Sequence, residues 1–160
     1  MESIVTSVIQ TAQQSDLVFT KFITPNDTGT TGGHQAGFHI HKNAWQLFFD
    51  KPGVKGENKD KFVTIKWQDD FETASRFIYY GVGTRNEYRL TRFGKGFPYL
   101  SDDNVGDLLI ICKKVEAYYH AYVLQTDEEI EDFFAALNIS STETNKLIPK
   151  QEEQTAEDKL

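Results

Sequence analysis

Apolar residues alternate with polar ones through most of this chain and fall at helical spacing in two short stretches. Residues 3–14 (SIVTSVIQTAQQ) set Ile4, Val5, Val8, Ile9 and Ala12 along one side of a helix. Leu17 to Ile23 (LVFTKFI) predicts a strand, and Phe38 to Ile40 another. Between them, Thr24 to Gly33 (TPNDTGTTGG) predicts a long loop, whose glycines permit positive φ. Asn43 to Phe49 (NAWQLFF) predicts a short helix capped by Asn43. Phe62 to Trp67, Arg76 to Tyr80, Glu87 to Thr91, Leu108 to Lys113 and Ala117 to Leu124 predict five more strands. Thr126 and Glu129 fit a capping box, followed by an apolar helical face of Ile130, Phe133, Phe134 and Leu137. Many short strands with two or three helices predict a mainly β barrel or sandwich with helical plugs. The division expected is one domain over residues 1–138 and a polar, acidic linker over residues 139–160.

Composition adds the environment. A chain of 160 residues fits one ordinary core, and no run approaches the roughly 18 apolar residues of a membrane span. Met1 to Gln14 lacks the form of a signal peptide. The lone Cys112 sits in an apolar run and excludes an internal disulfide, which suits a reducing cytoplasm. The net charge of −7 argues at first against a nucleic-acid partner. Its distribution changes that. Residues 127–160 hold ten acidic and three basic side chains, whereas residues 1–126 hold 14 of each. Residues 76–95 hold Arg76, Arg85, Arg89, Arg92 and Lys95 against one acid, Glu87. Such a local patch matters more to phosphate than the total does.

Three segments could carry chemistry. Asn26 to Gln35 (NDTGTTGGHQ) can present Asn, Thr, His and Gln side chains to a partner, or serve only as a flexible hairpin. In an extended Thr84 to Arg92 (TRNEYRLTR), Arg85, Glu87 and Arg89 share one face. Arginine suits guanine O6 and N7, and a carboxylate can accept from cytosine N4. A surface salt-bridge ladder is the plain alternative. His34, His39 and His41 could together hold a metal in a cupin-like β-barrel enzyme, although no Cys is near and no acid follows before Asp50. Nuclease chemistry is poorly served. Glu57 and Lys59 stand in E-x-K spacing without an acidic partner, and Asp69, Asp70 and Glu72 lack suitable strand flanks.

The two arms then carry a resemblance. NDTGTTGGHQAGFHI (Asn26 to Ile40) and RFIYYGVGTRNEYRLTRFGKG (Arg76 to Gly96) resemble the two DNA-gripping arms of the N-terminal effector-binding domain of EcoRII-type restriction endonucleases. Lys21, the spacing between the arms, and QTDEE (Gln125 to Glu129) agree, so the resemblance covers roughly residues 15 to 135. It implies a DNA-binding pseudobarrel, an open β-barrel with short helices and two projecting arms, as in plant B-three-type transcription factors. It implies double-stranded DNA as partner, gripped through the major groove at a short site with G·C pairs. It also implies a following nuclease domain of PD-(D/E)XK type that uses Mg²⁺. The present chain would then need no cofactor and cut nothing by itself. By position, the implied DNA-binding residues are Lys21, Asn26, Asp27, Thr28, Thr30, Thr31, His34, Gln35 and His39 in the first arm. In the second they are Arg76, Arg85, Asn86, Glu87, Tyr88, Arg89, Arg92 and Lys95. His39 stands where the family carries a tyrosine, and Gly83 and Tyr88 where it carries lysines, so the family's target site does not transfer. A metal-dependent enzyme built on the three histidines and a protein-interaction barrel with an acidic tail are the competing classes.

Overall fold

The structure is a computed structural model that describes residues 3–29 and 37–148. Eight strands form one curled sheet. They are β1 (Leu17–Phe22), β2 (Phe38–Ile40), β3 (Lys59–Trp67), β4 (Glu72–Tyr80), β5 (Glu87–Thr91), β6 (Leu108–Val115), β7 (Tyr118–Leu124) and β8 (Lys146–Ile148). Their spatial order is β2-β5-β4-β3-β7-β6-β1-β8. Every pairing is antiparallel except β3 with β7. The architecture is the mainly β pseudobarrel expected from the sequence.

Two cores lie on opposite sides of the sheet. Phe19, Phe38, Phe48, Ile65, Trp67, Phe77, Leu90, Ile111 and Tyr119 fill the inside of the curl. Stacked and edge-on aromatic pairs dominate it, such as Phe48 on Phe77 with ring centres 4.1 Å apart. The second core lies between β1, β6 and two helices, α1 (Ile4–Gln14) and α3 (Asp127–Leu137). Strand β6 serves both. Leu109 and Ile111 point into the barrel, while Leu108, Ile110 and Cys112 meet the helices. This double burial explains its unbroken apolar run. Burial also pushes the Cys112 thiol up to about 12, so the group is an inert packing residue.

Local chemistry sets the helix ends. The Ser3 hydroxyl accepts from the Thr6 N–H to start α1, and Thr126 accepts from the Glu129 N–H to start α3. Asn138 closes α3 in the left-handed conformation. The segment expected as a helix capped by Asn43 is instead a 3₁₀ stretch over Lys42–Leu47. Its cap is His41, whose Nδ1 accepts from the Asn43 N–H at 3.2 Å. Among the described residues, no helix is long and apolar enough to cross a membrane.

The boundary expected after residue 138 needs correction. Ile139 packs on the second core, and β8 pairs with β1 through Val18–Ile148, Phe19–Leu147 and Thr20–Lys146. The Asn145 N–H also donates to the Thr20 carbonyl at 2.6 Å. The isolated Leu147–Ile148 pair is therefore an edge strand, not part of a linker. Ile148→Ala should cost about 2 kcal/mol, the low end for a truncated core isoleucine. Urea unfolding checks this, and an unchanged midpoint would remove β8 from the cooperative unit.

Candidate nucleic-acid interface

The first arm leaves β1 at residue 23 and returns at β2. Its opening is not loop. Pro25–Thr28 forms one helical turn, α2, with proline at its start and Thr24 as cap. The Thr24 hydroxyl accepts from the Asp27 N–H at 3.2 Å, and Asp27 Oδ2 accepts from the Thr24 N–H at 2.9 Å. Asp27 Oδ1 accepts from the His39 N–H at 2.8 Å and from Lys21 Nζ at 2.9 Å. Lys21 Nζ also donates to the His39 carbonyl at 3.0 Å. Lys21 and Asp27 are thus a buried, hydrogen-bonded ion pair at the arm's root. Burial lowers the Lys21 pKa, partly offset by Asp27. These two residues were expected on the DNA surface. The structure instead uses them internally to shape the arm.

The second arm is the β4–β5 hairpin with residues 81–86 at its tip. Register assigns its faces. Arg76 pairs with Thr91, Ile78 with Arg89 and Tyr80 with Glu87 on the outer side. Phe77 with Leu90 and Tyr79 with Tyr88 point inward to the core. On β2, His39 stands opposite Arg89, so β2 extends the outer face by one strand. Arg85, Glu87 and Arg89 do line one side, as the alternation predicts. Glu87 binds the Arg85 guanidinium, and its carboxylate lies 3.9 Å from Arg89 Nε. The Arg85 guanidinium also lies over the Tyr80 ring, 3.6 Å from its centre. Burial would raise the Glu87 pKa, but the hydrogen bond and charge of Arg85, with Arg89, leave it lowered. The row is therefore charged and held in place before any partner arrives.

Tyr88 was also expected on the DNA surface, and it is not there. It is buried, stacks on Phe77 and accepts the Gly53 N–H at 2.7 Å. An inward Tyr88 is the necessary counterpart of outward Glu87 and Arg89. Asn86 is exposed and accepts from the Tyr79 hydroxyl at 2.7 Å. Arg76 pairs with Asp60 at 2.7 Å. Arg92 and Lys95 are exposed, with Arg92 over the Phe62 ring at 5.4 Å. Arg76, Tyr80 and Arg92 border an open groove of about 500 Å³ beside the hairpin. Thr30, Thr31, His34 and Gln35 lie outside the described residues.

The two arms meet at His39. Its Nε2 receives hydrogen bonds from the Asn26 amide at 2.8 Å and from the Arg89 guanidinium. Arginine can only donate, so Nε2 accepts and the ring proton sits on Nδ1. Burial lowers the His39 pKa, as does Arg89 beside it. His39 Nε2 is thus engaged, His41 caps a turn, and His34 lies outside the described residues. Among the described residues, no three His, Cys, Asp or Glu side chains gather as metal ligands.

Two consequences are measurable. Lys21→Met leaves Asp27 as an unpaired buried carboxylate and should destabilise the chain by about 3 kcal/mol; a smaller loss on thermal or urea unfolding than Ile148→Ala gives would contradict the pair's central place. His39 should titrate by NMR below the ordinary 6.5, and Arg89→Ala should move it upward. Because the folded value is the lower one, the associated stability is complete above about 6.5 and is lost as pH falls through the folded value. A His39 midpoint at or above 6.5 would contradict an accepting Nε2.

Comparison with known proteins fits this arrangement. The family described as Restriction endonuclease EcoRII, N-terminal, matches residues 12–152. The Type II restriction enzyme EcoRII of Escherichia coli is 30% identical over 139 residues, which cover 76% of this chain and 34% of that enzyme. The chain thus spans about a third of that relative's length. It belongs to the EcoRII N-terminal family of restriction endonucleases.

Proposed function

We propose that this chain reads a short sequence in double-stranded DNA for a restriction endonuclease and leaves cleavage to another domain. The observation that carries this is the outward row Arg85, Glu87 and Arg89 on the β4–β5 hairpin, whose end runs past the flanking β2 and β3 as a two-stranded ribbon, joined through His39 to the first arm. A two-stranded ribbon fits the major groove, where guanine offers O6 and N7 to arginine and cytosine offers an N4 donor to a carboxylate. Glu87 distinguishes reading from mere gripping. A carboxylate close to phosphates is repelled unless it accepts a specific hydrogen bond. Arg92 and Lys95, exposed beside the ribbon, suit the phosphate backbone.

Asn26 and the rest of the first arm would enter the same groove from the other side. Arg76, tied to Asp60, supports the face and reaches a phosphate only by leaving that pair. The carboxylates near β3 do not fit a Mg²⁺ site. Lys66 pairs with Asp70 at 3.4 Å, Glu72 accepts from the Tyr118 hydroxyl at 3.1 Å, and Asp69 and Asp70 sit in left-handed turns. Mg²⁺-dependent cleavage would therefore fall to a separate PD-(D/E)XK domain of a longer protein, which this domain would regulate.

The chain should shift duplex DNA in EDTA and leave it uncut after Mg²⁺ is added; metal-dependent cleavage by the pure chain would overturn the division of labour. Selection from a random duplex pool should yield a site containing G·C pairs. On that duplex, Glu87→Ala should cost about 1–3 kcal/mol of discrimination, the worth of one base contact, while leaving binding to a scrambled duplex equal or tighter. Equal tightening on both duplexes would reduce Glu87 to a salt-bridge partner. Log K should also fall steeply with log salt; a flat response contradicts phosphate gripping.

A further inference from the structure

The tip of the second arm is held from outside the hairpin. Residues 51–58, between the 3₁₀ stretch and β3, form a Gly/Lys-rich turn region. Lys55 reaches from it to the tip. Its Nζ donates to the Gly81 carbonyl at 3.0 Å, to the Gly83 carbonyl, and to the Arg85 carbonyl at 2.7 Å. An ammonium has three protons, and here three backbone carbonyls of one loop take them all. Two further bonds join the same two segments. The Gly56 N–H donates to the Gly81 carbonyl at 2.8 Å, and the Gly81 N–H donates to Asn58 Oδ1 at 3.0 Å. A Cβ on Gly81 would stand 2.4 Å from the Glu57 carbonyl oxygen, so only glycine permits this approach.

The bonds have a direction. Peptide C=O and N–H groups point oppositely across a trans bond. Turning three carbonyls onto Lys55 therefore turns the N–H groups of Val82, Thr84 and Asn86 away from it, and fixes the backbone from which Arg85 and Glu87 spring. Arg85 is the residue whose carbonyl Lys55 grips and whose side chain lies on Tyr80 and Glu87. A six-residue tip with Gly83 at φ +70° has no comparable restraint of its own. Its one internal backbone bond is long, from the Arg85 N–H to the Val82 carbonyl at 3.4 Å.

We propose that Lys55 is a positioning residue for base reading: it presets the tip of the second arm so that Arg85 and Glu87 are aimed before DNA arrives. This rests on the DNA-reading function proposed above. Lys55 touches no base in this role, and with its protons committed to carbonyls it is not a phosphate contact. Loss of aim by a small displacement is costly, because bidentate hydrogen bonds to a base edge tolerate little error.

The experiment uses the full chain with Lys55→Met, Arg85→Ala and the double variant. The DNA probes are the duplex enriched from a random pool by the unaltered chain and a scrambled duplex. Hydrogen exchange without DNA comes first. Lys55→Met should speed exchange of the Gly56 and Gly81 amides by about tenfold or more while the thermal midpoint stays within a few degrees. In binding, Lys55→Met should lower discrimination between the duplexes by about tenfold and leave the salt slope unchanged. In an Arg85→Ala background its further loss should be clearly smaller than in the unaltered chain, because aiming Arg85 is part of what Lys55 does and only its effect through Glu87 remains. An equal loss on both duplexes, with the salt slope reduced by about 0.9, would mark Lys55 as a phosphate contact and overturn the proposal. So would unaltered exchange, or additive losses in the double variant. If no duplex is enriched by the unaltered chain, the DNA-reading function falls and this role falls with it; faster exchange would then still identify Lys55 as a clamp on the loop.

Discussion

The root of the first arm hangs on the buried carboxylate of Asp27. It binds the start of the first arm through the Thr24 N–H and the end of the arm through the His39 N–H. Its own carbonyl accepts from the Gly37 N–H at 2.9 Å. Lys21 neutralises it and ties it to β1 and to the His39 carbonyl. A buried charge pair of this kind gives little net stability, since desolvation consumes most of its attraction. What it gives here is geometry. Thr24 at one end of the segment and Gly37 and His39 at the other are pinned to one residue.

From that anchor the electrostatics runs outward in alternating sign. Lys21 and Asp27 form the inner pair, and His39 beside them stays neutral because burial and Arg89 disfavour its protonated form. A neutral His39 shares its Nε2 lone pair between Asn26 and Arg89, so it couples the arms; a protonated one would lose that acceptor and repel Arg89. Arg89 then leads to Glu87 and Arg85 at the edge. The strongly acidic composition is no obstacle to this. The first turn of α3 alone carries Asp127, Glu128 and Glu129, where they complement the helix dipole away from the hairpin.

Much of this was legible in the sequence wherever one periodicity governed a segment. Strand β5 matches the expected Glu87 to Thr91, and the outward direction of Glu87 and Arg89 follows from period two alone, while Arg85 joins them from the tip. The same period already required Tyr88 to point inward; matching positions to a family pulled it to the surface against its own strand's alternation. Lys21 and Asp27 misled for another reason. A lysine in a strand and an aspartate in a polar segment look solvent-facing, and nothing local announces that the two lie in hydrogen-bond reach across six residues. Thr24-Pro25 followed by Asp27 was the available signal, a capped helical turn with proline at its start. Strand β8 escaped because three residues are too few for a pattern, and their burial comes from β1 and the second core. Lys55 was invisible in principle, since its partners are backbone carbonyls that no sequence motif marks.

On the DNA-reading function proposed above, the arrangement of the outer face also bears on how such a surface can be selective without being sticky. Arg85 and Glu87 satisfy each other in the free chain, and exposed pairs of this kind are worth at most about 1 kcal/mol. Exchanging them for a matching base pair is therefore cheap. A mismatched base is different. It breaks the pair without replacing it, and leaves a guanidinium and a carboxylate unsatisfied in a groove with little water. That asymmetry favours discrimination over bulk affinity. It works only if the side chains cannot swing to rescue themselves. Tyr88 and Leu90 hold β5 in the core from below, Tyr80 lies beneath Arg85, and Lys55 holds the tip from the side. The rigidity of the barrel is thus carried through alternate residues of one strand to the charges that face outward.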